Sequence, residues 1–214
     1  MFATTRVGRW LDGWLYRKPF TGASARRYAR AERPAFGDLD ARLVARWRGD
    51  LAAARVVVDL GAGPGTVGAA LAAALPTARV IDVEPSPDFA PRGPRVRARA
   101  EALPFATASV DAAVSVSAIR HVGDRGRALA ELRRVVRPGG VAWLVELDPE
   151  ASAAQVRRHA DRLDGRWLAR AFGPLVVATA PPVTTITTLA RAAGWRDITV
   201  ERDPEQPVYL VRLA

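Results

Sequence analysis

Cysteine is absent from this 214-residue chain. That excludes disulfides, thiolate metal sites and a cysteine nucleophile. Histidine is scarce: only His121 and His159 occur. Neither stands at a recognisable metal-ligand spacing, so no metal is expected. Lysine is nearly absent as well, with Lys18 alone, and arginine carries almost all the positive charge. No apolar run approaches the ~18 residues that a membrane span needs. The first arginines are followed by no contiguous apolar stretch, so no secretory signal is expected and a cytoplasmic location is. What is present is a globular balance, 49% hydrophobic and 25% charged. A chain of this size suits one α/β domain with appended elements.

The formal net charge is +10, and it is unevenly spread. Residues 1–55 carry 12 basic and 5 acidic side chains, a net of +7. Residues 56–148 come to +1 and residues 149–214 to +2. A basic segment can meet nucleic acid, anionic lipid or an acidic substrate, or it can be a solvated face. Within it, periodicity predicts a helix over 4–17, with Trp10, Leu11, Trp14 and Leu15 on one stripe and Arg6, Arg9 and Arg17 around it. The stripe suits a lid packed on the domain or a helix lying in a membrane interface. A second amphipathic stretch runs from Asp38, its N-cap, to Arg48, with Leu39, Leu43 and Trp47 four apart.

From Arg55 the texture becomes that of alternating strands and helices. Val56-Val57-Val58-Asp59-Leu60 is a β-branched run suited to a parallel strand buried on both faces. A glycine turn and an alanine-rich helix to about Leu75 follow. Further strands are predicted at 79–83, about 96–98, 111–116 and 141–147, with a helix over 127–136 ended by Pro138-Gly139-Gly140. Such alternation means a parallel sheet with right-handed crossovers. Beyond Asp148 a helix is predicted from Gln155 to about Phe172, then another over 185–193 closed by Gly194. Strands at about 198–201 and 208–213 end the chain as an antiparallel hairpin. Pro85, Pro87, Pro91 and Pro94 crowd the link after the second strand, so a crossover helix there is expected to be lost or reduced to a turn.

The turn Asp59-Leu60-Gly61-Ala62-Gly63-Pro64-Gly65-Thr66 follows a strand and opens a helix. Missing side chains let backbone approach a ligand, and a helix N-terminus offers N–H groups and partial positive charge. A nicotinamide fingerprint wants G-x-G-x-x-G/A. Here Thr66 stands in the last position, so the dinucleotide pattern is incomplete. Glu84 ends the second strand, where a carboxylate can accept from both hydroxyls of a ribose.

These segments, in order, resemble class I S-adenosylmethionine-dependent methyltransferases of the subgroup related to ubiquinone-biosynthesis and other small-molecule enzymes. The likeness is carried by Val57–Thr66, Ile81–Ser86, Ala100–Phe105, Ser109–Val114, Ile119–Val122 and Ala130–Gly140. It implies a Rossmann-like, seven-stranded, mostly parallel sheet with a C-terminal antiparallel hairpin and helices on both faces. It implies S-adenosyl-L-methionine as cofactor: Gly61, Ala62, Gly63 and Gly65 along its methionine part, Asp59 toward its ammonium, Glu84 on the ribose, Ala100 and Glu101 beside the adenine, and Ser117 beneath the sulfonium. Arg99 departs from the pattern. It stands where the family often has an acidic residue, and a guanidinium accepts no hydrogen bond.

Residues 1–54 are then a helical lid or extension, and 55–214 the cofactor-binding domain with a helical insertion at about 150–180. Methyl transfer from a sulfonium needs alignment and exclusion of water, and a base only where the acceptor must lose a proton. His121 and His159 are the candidate bases, with Glu146 and Asp148 beside them at the end of the fifth strand. The expected acceptor is a small molecule, an anionic one suiting the basic extension. Nucleic acid is an alternative on charge alone, although Val116–Val122 lacks the Asn/Asp-Pro-Pro-aromatic run of amino-methylating nucleic-acid enzymes. A non-catalytic cofactor- or partner-binding module is a further alternative.

Overall fold

A computed structural model describes residues 20–30, 36–163, 169–170 and 172–214. The helix expected over 4–17, with Trp10 and Trp14, lies outside the described residues. The first described helix, α1, spans Gly22–Arg30, and α2 spans Leu39–Leu51. Leu39, Leu43, Trp47 and Leu51 form the buried stripe of α2. Asp38 does stand at its N-cap, but its carboxylate pairs with Arg42 (3.2 Å) rather than closing the helix end.

The sheet then builds from β1 (Val56–Leu60), β2 (Arg79–Val83), β3 (Arg95–Val96), β4 (Val110–Val116), β5 (Val136–Leu147), β6 (Ile198–Arg202) and β7 (Val208–Leu213). Its order is β3-β2-β1-β4-β5-β7-β6, seven strands in one sheet. Six strands run in one direction, and β7 runs antiparallel between β5 and β6. Helices α3 (Thr66–Ala74), α4 (Arg125–Val135), α5 (Ala153–Ala160) and α6 (Val183–Ala192) complete the elements used below.

Alternation along the central strands sorts two cores onto the two faces. Val57, Val114, Trp143 and Val145 pack with α2, α3 and α5. Val58, Ala113, Leu144 and Tyr209 pack with Leu129 and Leu132 of α4 and Ile186 and Ala190 of α6. Both faces are covered, which is why β1 and β4 read as continuous apolar runs.

Four local expectations change. The third strand is only Arg95–Val96, paired with Asp82 and Val83 of β2. The helix expected over 127–136 starts at Arg125, capped by the Asp124 carboxylate, which accepts from Arg127 N. Pro138-Gly139-Gly140 does not separate helix from strand. It forms a bulge inside β5, whose register against β4 jumps from Val110↔Val136 to Ala112↔Val141. Gly140 fits because a Cβ there would stand 2.5 Å from the Asp111 carbonyl.

The fourth change is the largest. The helix expected over 155–172 stops at Ala160, and Phe172–Val177 forms a separate wide turn. Phe172 returns to stack on His159 with ring centroids 4.5 Å apart. A continuous helix would carry it about 20 Å away. The proline-rich link behaves as expected, with no helix between β2 and β3.

Candidate active site

The carboxyl ends of β1, β2 and β4 meet at the glycine turn. Gly61 N and Ala62 N donate to Val83 O (2.8 and 3.2 Å), and Gly65 N to Ala62 O (2.9 Å). Gly63 N donates to Glu84 Oε2 (2.9 Å). The amides of the turn are thus bonded within the protein, not held out unpaired. Its open side is at Gly63, where among the described residues a Cβ would meet nothing within 4 Å. At Gly61 a Cβ would collide with the Ala118 methyl, and φ is +71°. Glycine there lets the loop after β4 close against the turn. Ser117 in that loop is held at φ +56°, with its N–H on Val145 O (2.7 Å).

Glu84 is buried, and each carboxylate oxygen accepts one backbone N–H, from Gly63 and from Ser86 (2.8 Å). Each oxygen keeps a second lone pair for a hydroxyl. Asp59 is buried beside Asp82, its register partner on β2. Both carboxylates crowd the spot where a Cβ of Gly68 would stand, beneath the first turn of α3. A second layer escaped the sequence reading. Arg95 pairs with Asp82 (2.9 Å) and donates to Gly63 O (2.9 Å) and Phe89 O (3.1 Å). The available signal was an acid inside the apolar run Val80–Val83 and an arginine heading the strand beside it.

On the other side of the turn, Ala100 is buried and Glu101 caps the approach to α4. Glu101 Oε1 accepts from Gly123 N (3.2 Å) and Asp124 N (3.4 Å), and Arg99 stands 3.6 Å from Oε2. Burial alone would push this carboxyl up. The backbone donors and the Arg99 guanidinium outweigh it and hold the group below its usual range.

After β4 the chain makes a short 3₁₀ turn, Ile119–His121. Glu146, near the end of β5, is 1% exposed and its Oε1 accepts from Arg120 N (3.1 Å). Among the described residues its Oε2 is buried with no hydrogen-bond partner. Burial pushes this carboxyl up to about 7, against the pull of Arg120 and Arg125. Arg125 ties the same turn from outside, through Ile119 O (3.2 Å) and Arg120 O (2.9 Å). Asp148 is already engaged, accepting from Arg202 Nε (2.8 Å) and Glu150 N (2.9 Å).

The start of α1 lies over this edge. Ser86 Oγ donates to Phe20 O (2.7 Å), and Gly22 N donates to Asp88 Oδ2 (2.7 Å). The Phe20 ring stands edge-on to His121 (4.7 Å) and to Tyr28 (5.3 Å), with Phe89 at 6.4 Å. His121 is therefore at the covered edge. His159 has different surroundings. It is 1% exposed, sandwiched by Phe36 (4.8 Å) and Phe172, with Nδ1 on Gln206 Oε1 (2.9 Å). A separate cleft of about 220 Å³ lies between α2 and the β6–β7 hairpin, and its Arg42 and Arg46 are paired with Asp203 and Glu201.

The arrangement has counterparts. Residues 58–144 match the methyltransferase domain family. An uncharacterized methyltransferase of Mycobacterium avium (strain 104) is 39% identical over 135 residues, 55% of this chain and 53% of that protein. An uncharacterized 37.1 kDa protein in transposon TN4556 of Streptomyces fradiae is 32% identical over 188 residues, 73% of this chain and 54% of that one. The chain spans about half the length of these curated relatives. Solved S-adenosylmethionine-dependent methyltransferases from Archaeoglobus fulgidus and Mesorhizobium loti share the fold, with TM-scores of 0.63 and 0.60 at 13% and 18% identity. They cover 82% and 84% of this chain, and 92% and 99% of their own. Strand order, glycine turn and acidic strand end agree with these matches: residues 58–144 match the methyltransferase domain family, and the sheet has the fold of the solved S-adenosylmethionine-dependent methyltransferases.

Proposed function

We propose that the protein transfers a methyl group from S-adenosylmethionine to a small-molecule acceptor by in-line displacement. When bound, the cofactor supplies a methyl group already activated on a sulfonium sulfur. The residues fit it: an open cradle at Gly63, and a buried Glu84 whose remaining lone pairs suit ribose hydroxyls. In this reading Gly61, Ala62, Gly63 and Gly65 line the methionine part, and Asp59 answers its ammonium. Ala100 and Glu101 border the adenine, and Ser117 lies below the reacting centre. His121 takes the proton of an acceptor that must lose one. His159, enclosed by two rings and Gln206, holds the junction of α5 with the β6–β7 connection.

The observation that carries the small-molecule reading is the cover. Phe20, Tyr28 and Phe89 cluster over His121, fastened through Ser86 and Asp88. An edge covered by aromatic rings would exclude water from a small acceptor. The basic excess, the sole support for a nucleic-acid acceptor, is also partly consumed within the protein: Arg26, Arg42 and Arg46 pair with Asp88, Asp203 and Glu201. In this reading residues 1–54 are an extension of the catalytic domain of 55–214, with Phe20 and Tyr28 as its cover over the site and α2 packed against the sheet.

The test is calorimetric titration with S-adenosylmethionine and S-adenosylhomocysteine, with Glu84→Ala as control, followed by a screen of small acceptors for S-adenosylhomocysteine release. Micromolar binding that Glu84→Ala abolishes, with turnover on a small acceptor, is expected. Turnover on RNA, with activity falling steeply as salt rises, would replace the small-molecule reading.

A further inference from the structure

The loss of the helix between β2 and β3 raises a mechanical question. A glycine turn has little stiffness of its own, and the proline-rich link beside it has no helical ladder. Something else must fix both. Arg95 contacts each of them. One guanidinium nitrogen grips Gly63 O and the Asp82 carboxylate, both at 2.9 Å. The other donates to Phe89 O at 3.1 Å, in the middle of the link. Gly63 is thus held from both sides, its N–H by Glu84 and its carbonyl by Arg95. Phe89, whose carbonyl Arg95 also holds, is one of the rings beneath Phe20 and Tyr28.

The charge arrangement points the same way. Asp59 and Asp82 are register partners on adjacent strands, and both are buried under the first turn of α3. Adjacent carboxylates with little water repel strongly. Arg95, whose side chain is 11% exposed, is the cation paired with Asp82. Without it, repulsion would act on the strand end from which the glycine turn leaves.

We infer that Arg95, with Asp82 as its counterion, is a positioning residue that sets the glycine turn for the cofactor and links that turn to the aromatic cover. It touches no reacting atom. The inference rests on the cofactor reading above. Its effect is on affinity: a charge-assisted hydrogen bond to a turn carbonyl, lost, should weaken cofactor binding by about tenfold or more.

The decisive variant is Asp82→Leu/Arg95→Met, because it removes the grip on Gly63 without leaving either member of the Asp82–Arg95 pair buried alone. Replacing a buried ion pair by apolar groups of similar volume is often neutral for stability. Wild type, this double variant, and Arg95→Lys are titrated with S-adenosylhomocysteine, and each is checked for its melting temperature and the NMR signal of the Gly63 amide. The expected result is a melting temperature near wild type in the double variant, a displaced Gly63 signal, and affinity about tenfold lower or worse. Arg95→Lys, which keeps the charge but not the fork, should recover part of the affinity. If wild type binds and the double variant binds equally well, the positioning role is overturned. If affinity and melting temperature fall together while the Gly63 signal stays in place, Arg95 is only a structural residue and the inference is overturned too. If wild type itself does not bind, the cofactor reading fails instead.

Discussion

Glu146 offers a test in which the sign and size of an effect follow from burial. Its carboxyl is enclosed between the Ile119–His121 turn and β7, with Tyr209 opposite in the strand register. The groups that face it are the guanidinium groups of Arg120 and Arg125 and the phenol of Tyr209, whose own ionisation is pushed up by burial and then by Glu146 and Asp148. Desolvation dominates for Glu146 and lifts it from 4.5 to about 7. The folded state therefore holds this proton more tightly than the unfolded chain does. The stability it contributes is complete below about pH 4.5 and is lost as pH rises through about 7. Linkage for that shift gives a loss of about 2–3 kcal/mol between about pH 5 and pH 8. Glu146→Gln keeps an oxygen for Arg120 N and never ionises. Urea unfolding of wild type and variant across that range isolates the group, since other titrations cancel in the difference. The variant should gain on wild type by about 2–3 kcal/mol as pH rises. A difference that stays flat would mean that Arg120 and Arg125 keep the carboxylate charged, and the argument from desolvation would be refuted.

Other expectations are equally concrete. Gly61→Ala adds a methyl against Ala118 at positive φ and should cost about 2–4 kcal/mol in urea unfolding, with Ala118→Gly restoring only the steric part. Trp143→Phe removes the indole N–H that Asp50 Oδ2 accepts at 3.0 Å. Because Arg212 still donates to the same oxygen, the cost should be about 1–2 kcal/mol. His121→Gln should lower methyl transfer by about 10²-fold and flatten its dependence on pH, with S-adenosylhomocysteine affinity held within about twofold. An equal loss of affinity would assign His121 to packing with Phe20 instead of proton transfer.

The parts of the fold that were legible were those in which local pattern and tertiary role coincide. Val56–Leu60 is buried on both faces, so its apolar run is the strand. The four prolines of 85–94 forbid a helix whatever surrounds them. Leu39, Leu43 and Trp47 repeat because one face of α2 meets the sheet. Where distant residues decide, pattern misleads. Apolar periodicity continues past Ala160, and only the stacking of Phe172 on His159 shows why the helix cannot. Pro138-Gly139-Gly140 has the composition of a turn, yet β4 absorbs it as a bulge. At the candidate site, Asp59, Glu84 and the glycines stand in contiguous motifs from which the sequence reading proposes them. Asp82 and Arg95 were not, because their meeting depends on the register of β2 against β3. Phe20 belongs to no periodic stripe, so nothing in the sequence placed it beside His121.

Those two omissions are connected. In a parallel sheet of this kind a helix after β2 would wall the edge of the site, and here prolines remove it. Its work is divided. Phe89, from the link itself, fills the edge from within the domain. Phe20 and Tyr28, from the extension, close it from above. The link carries no helix or strand and α1 lies outside the sheet, so each half has polar fastenings: Ser86 and Asp88 for the extension, Arg95 for the link. All of these fastenings meet the few residues between Asp82 and Phe89, next to Glu84. An edge built this way couples its cover through side chains to the strand end that carries Glu84. Changes in the 85–94 link should therefore alter cofactor affinity and cover closure together, whereas changes in the α2–β6 cleft should alter neither.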